Sequence, residues 1–124
     1  MRAARFHLPL LLIGLLGWAG CAAHGGAAPL SDTSYTALPD DAPVIVTTGE
    51  LDGSYEELAI LVVKPGGLLL GASYATLIER MNANLRDEAR AIGAHAVVRV
   101  EYDIADLEGE TTRATGTAVR MGTP

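Results

Sequence analysis

Gly93 separates two different hydrophobic periods, and that junction constrains the fold more than any other feature of the chain. Upstream, Tyr74, Ile78, Met81, Leu85, Ala89 and Ile92 recur at spacings of three and four, one stripe of an amphipathic helix. Arg80, Asp87, Arg90 and Ala91 fall on the opposite, solvated side. Downstream, Ala96, Val98, Val100, Tyr102 and Ile104 alternate with Val97, Arg99, Glu101 and Asp103, the period of a strand. A glycine directly after the last stripe residue is where a helix ends in a left-handed turn that only glycine adopts without a Cβ clash. The stretch predicts helix, stop and strand.

Other elements gather around this unit. Val44 to Thr48, a short β-branched run after Pro43, predicts a first or edge strand. Gly49 to Ser54 has turn chemistry. Leu58 to Lys64 is apolar on both faces, as an interior strand or one meeting a partner would be. Pro65-Gly66-Gly67 ends it, and the apolar connector Leu68-Leu69-Leu70-Gly71 leads to the helix. Either Ser73 caps that helix, or Thr76 with Glu79 forms a capping box. Thr112 to Met121 predicts a last strand, paired as a hairpin with Ala96 to Ile104. Its Ala114, Gly116 and Ala118 share a face small enough for close approach.

The N-terminus carries an address. Arg2 and Arg5 precede the apolar run Leu8 to Trp18, which ends in Ala19-Gly20 before Cys21, the pattern of a secretory signal. The run is too short to span a bilayer, which takes about 20 residues. Ala19-Gly20-Cys21 resembles the end of a bacterial lipobox, although Trp18 stands where an aliphatic residue is usual. An ordinary signal peptidase cutting near Ala23 or Ala28 would instead remove Cys21. Cys21 is the only cysteine of the 124 residues, so no disulfide framework forms within the chain. A lone thiol at a signal boundary is most simply explained by acylation, and the two or three chains of a bacterial lipoprotein satisfy the need for more than one. Ala22 after the cysteine resembles an outer-membrane sorting signal.

Removing residues 1–20 leaves 7 basic and 15 acidic residues, a net charge of −8. Such a domain has no footprint for nucleic acid or for anionic head groups. Ala22 to Asp41, rich in Ala, Gly, Pro, Ser and Asp, predicts a tether of about 25 Å as coil and about 65 Å when extended. A recognition segment around Leu30 to Leu38 is the competing reading. The organisation is therefore a signal peptide over 1–20, a lipidated flexible tether over 21–43 and a folded domain over 44–121. The fold is α+β, a two-layer β-α-β-β unit with one helix on a small antiparallel sheet and an extra N-terminal strand.

Leu85-Arg-Asp-Glu-Ala-Arg-Ala-Ile-Gly-Ala-His-Ala-Val-Val98, followed by Ala114-Thr-Gly-Thr-Ala-Val119, resembles the YbjQ-like group, whose alternative family name refers to heavy-metal binding. The resemblance extends over Tyr55 to Val119 and rests on packing motifs. It implies a helix over an antiparallel sheet, pentameric rings in the YbjQ branch, and a fold shared with Rcs-type envelope stress sensors. The disulfides of that sensor branch have no counterpart here.

Chemistry-bearing residues are sparse. Metal ligation would fall to His24, His95 and Cys21, none spaced as a ligand pair, and His95 is read as satisfying backbone near a turn. Asp103, Asp106, Glu108 and Glu110 lack calcium-loop spacing. Gly66-x-x-x-x-Gly71-Ala72-Ser73 lacks the lysine of a phosphate loop. No base is linked by motif to Ser54 or Ser73. These residues predict no catalytic residue, no metal site and no cofactor. They describe an outer-membrane lipoprotein with a binding, sensing or structural module, the alternative being a metal-binding lipoprotein. Expected partners are the membrane through the anchor, and a second copy or an envelope protein through the sheet.

Overall fold

The computed structural model describes residues 25–67, 71–104 and 112–122. Its elements are β1 (Gly25–Pro29), β2 (Ile45–Val46), β3 (Tyr55–Val63), α1 (Tyr74–Ala91), β4 (Ala96–Asp103) and β5 (Arg113–Met121). The strands form one five-stranded sheet in the order β1-β3-β5-β4-β2. β1 with β3, β3 with β5 and β5 with β4 are antiparallel, whereas β2 lies parallel to β4. β5 thus inserts between β3 and β4, which α1 connects, to give a split β-α-β unit. The architecture is α+β as expected, but the sheet is mixed because Ile45–Val46 reaches β4 from its other edge.

Among the described residues the sheet already includes Gly25–Pro29, ahead of the expected start at Val44. Gly25 to Pro29 pairs along the whole of Val63 to Ala59, so the first described residues of the expected tether are an edge strand of the sheet. Composition concealed this, because Gly-Gly-Ala-Ala-Pro has no strand signature and its ladder rests on backbone groups that every residue carries. The segment after it is tied down as well. Leu38 N–H donates to Arg90 O, Arg90 Nε donates to Ala42 O at 2.8 Å, and Arg86 Nε donates to Val44 O at 3.2 Å. Arg90, expected on the solvated helix face, holds this segment across α1 with its side chain only 17% exposed.

Ser73 is the N-cap of α1, its hydroxyl accepting from Thr76 N–H at 3.2 Å, which decides between the two caps. The buried stripe is Leu77, Met81, Leu85 and Ala89. Tyr74, expected on the stripe, is exposed, and Leu77 takes the first core position. With Leu61, Val63, Val97, Val100, Ala114 and Ala118 these residues form the core between helix and sheet. Gly93 has φ +77, as the junction requires.

The strict alternation read along β4 fails at Arg99. A bulge between Val98 and Glu101 places Arg99 at φ 52, the only described non-glycine residue with positive φ. Val97 and Val100 therefore both join the helix-side core, while Ala96 and Val98 pack on the other face with Val119, Leu51 and Tyr55. The interior position of β3 is as expected, and Leu61 and Val63 are fully buried within one chain. Leu68 to Leu70 and Ala105 to Glu110 lie outside the described residues, as do Cys21 and His24.

Candidate functional site

Three polar features gather residues from distant parts of the chain. The first is built by the β4 bulge. There Arg99 donates to Glu50 at 2.8 Å and to Glu57 at 2.6 Å, and its Nη1 lies 3.4 Å from the Tyr55 hydroxyl, which itself bonds Glu50. Arg99 N–H also donates to Gly49 O, and Val100 N–H to Thr47 O. The positive φ, which costs about 1–3 kcal/mol, aims the guanidinium at two carboxylates and clamps the Thr47 to Ser54 connection over half of the rear sheet face. The hydrogen bond from Arg99, then that from Tyr55, holds the Glu50 carboxyl below its ordinary value. Both acids on Arg99 are exposed, so the cluster is a surface staple.

The second lies where the segment after β1 meets the C-terminal end of α1. Ser31 Oγ donates to Glu56 at 2.6 Å and the Tyr35 hydroxyl donates to the same carboxylate at 2.5 Å. Arg120 stacks 4.4 Å over the Tyr35 ring and donates to Gly93 O at 2.8 Å. Beside them a cleft of about 230 Å³ is lined by Ala27, Ser31, Tyr35, Leu58, Ala91 and Ile92, among others. It falls below the usual size of small-molecule pockets, about 300–1,000 Å³.

Glu56 carries a pH prediction. The Ser31 hydrogen bond, then the Tyr35 one, lowers its pKa against an opposing desolvation. A folded pKa below the unfolded value stabilises above the ordinary carboxylate range and ceases to do so as pH falls through the folded value. Acidification from pH 7 to about 3 is therefore expected to lower the amide protection of residues 31–35, taken relative to the intrinsic exchange rate at each pH. Glu56→Gln should leave that segment with low protection at both pH values; protection that is unchanged by the substitution and by pH would count against the assignment.

The third is His95. Its Nδ1 accepts from Met121 N–H at 3.0 Å, while its own N–H donates to Val119 O and its carbonyl accepts from Ile45 N–H. This is the backbone-satisfying role read from its position after the helix. It assigns the proton of the neutral ring to Nε2, leaving no free lone pair for a metal. Among the described residues no three His, Cys, Asp or Glu side chains converge, and this donor set does not fit a transition metal. Ser73 is spent on the helix cap. Ser54 binds Gly122 N–H through its carbonyl. Asp103 meets Arg113 at 3.8 Å, and Asp106, Glu108 and Glu110 lie outside the described residues.

Residues 72–122 match the YbjQ family profile, described as "Putative heavy-metal-binding". The YbjQ match spans α1, β4 and β5 and begins beyond β3, so it is shorter than the resemblance drawn from Tyr55 onward. Among solved structures the chain is similar to the Francisella virulence factor FvfA, at a TM-score of 0.57 and 11% identity over 76% of this chain and 94% of that one. At that identity the likeness concerns the fold alone. A search of curated proteins found no match. Sequence reasoning reached His95 but missed the Arg99 and Glu56 clusters, whose members are 42 and 25 residues apart. Only the mid-strand arginine among valines hinted at either.

Proposed function

We propose that the protein is a lipid-anchored component of a bacterial envelope, held at the outer membrane by acyl chains on Cys21, with a small non-catalytic binding, sensing or structural domain. The observation that carries this reading is the position of the lone cysteine, at the end of the leader's apolar run and four residues before the sheet begins. The course of β1 adds support. Cleavage at Ala28 would cut inside a strand paired to β3, whereas cleavage before Cys21, like cleavage near Ala23, spares that strand. No helix among the described residues is long and apolar enough to cross a membrane. A non-catalytic role is supported by where the polar groups are spent, since Arg99, Glu56 and His95 all tie segments of the chain together.

Mass spectrometry of the protein isolated from bacterial membranes is expected to show a mature chain starting at Cys21 with diacylglyceryl on its sulfur. A free thiol at Cys21, or a chain starting at His24 or later, would overturn the anchoring.

A further inference from the structure

The rear face of the sheet is covered unevenly. Over β4 and β5, Leu51 from the clamped connection and Tyr55 at the start of β3 cover Ala96, Val98 and Val119. Over β1 and β3 no described element covers the sheet. There Ile60 is 39% and Val62 41% exposed, pointing away from the buried Leu61 and Val63. Their cross-strand partners in β1 are Ala28 and Gly26, which bring almost no side chain to shield them. Leu30, 49% exposed, follows directly. On the other flank Val62 and Ile60 face Thr115 and Thr117. The nearest carboxylate along that row is Glu101, two strands from Val62 and about 10 Å away by strand spacing.

Chain length selects what meets this bare half. Only Ala22, Ala23 and His24 separate Cys21 from Gly25, so four Cα steps, about 15 Å at full stretch, join the thiol to the first residue of β1. We infer that the Ile60–Val62 strip beside β1 seats on the lipid surface, so that the domain lies on the bilayer by its β1/β3 edge and presents α1 to the aqueous side. This inference rests on acylation of Cys21. The strip carries no acid of its own, so the net negative charge of the domain does not oppose contact with a neutral head-group layer. A flexible 20-residue tether would impose no orientation; a three-residue one does.

Trp18 is the only tryptophan, and it precedes Cys21, so a mature chain carries only the tryptophan introduced into it. Val62→Trp, Ile60→Trp and, on the exposed outer side of α1, Ala83→Trp would each be made in the full chain. The proteins would be isolated from bacterial membranes and reconstituted into phosphatidylcholine vesicles with brominated acyl chains. Val62→Trp and Ile60→Trp are expected to shift to the blue and to lose emission to bromine, with Ala83→Trp unchanged. Acylated protein with all three unquenched, or all three equally quenched, overturns the docking and leaves the anchor standing. A blue shift that instead follows protein concentration without bromine quenching assigns the strip to a second copy and overturns the lipid surface. An unacylated Cys21 in the mass spectrum sinks the anchor and this inference together.

Discussion

Gly93→Val is expected to destabilise the domain by about 2–6 kcal/mol, from two sources that add. A β-branched residue at φ +77 suffers left-handed backbone strain of about 1–3 kcal/mol. A Cβ there would also lie 2.7 Å from Thr36 O and 2.8 Å from Tyr35 Cβ, and overpacking of this kind costs about 1–3 kcal/mol. The second source exists because the segment after β1 runs against the end of α1, where Arg120 holds both Gly93 O and the Tyr35 ring. Urea titration should show a lower midpoint for Gly93→Val. Gly93→Asn, which tolerates the left-handed region, should recover the backbone part and keep the clash. A midpoint equal to that of the natural protein would contradict both sources.

Gly116→Ala is expected to cost about 1–3 kcal/mol, because a Cβ in the middle of β5 would lie 2.6 Å from Val97 Cγ1 and 2.9 Å from Val100 Cγ2. Both valines meet the same point because the Arg99 bulge turns them to the same face. Val97→Ala alone opens a cavity in the buried core and should also destabilise. The double variant should be more stable than the sum of the single effects predicts, a coupling measured by a double-mutant cycle. Strict additivity would place the valines elsewhere.

Local order was legible where one residue or one period decides it. Gly93, the interior β3 and the small face of β5 each follow from chemistry within a few residues, whereas the helix cap was narrowed only to Ser73 or Thr76. Errors arose where distant partners decide. β1 is a strand because β3 offers it a ladder, and nothing in Gly-Gly-Ala-Ala-Pro announces that. The β4 period broke at Arg99 because Glu50 and Glu57 reward the bulge from 49 and 42 residues away. Tyr74 is exposed and Leu77 is buried in its place, a choice that depends on what packs against the first turn and not on helical periodicity alone. The clusters at Glu56 and Arg99 are likewise non-local and were found only in three dimensions.

The central place of β5 has a consequence for how the chain is made. Tyr55 pairs with Met121, 66 positions later, and β3 and β4 share a backbone ladder only through β5, which follows both of them in the sequence. Until residue 121 is available, the sheet lacks its middle, and β3 and β4 have no strand to pair with in common although α1 packs on both. Folding is therefore dominated by distant pairings, which form slowly because loop closure precedes any gain from contact. On the proposed export route, that delay would keep the polypeptide threadable until β5 has been made. The same arrangement makes the C-terminus indispensable: a chain stopped before residue 113 would lose not an edge but the strand on which both halves of the sheet depend.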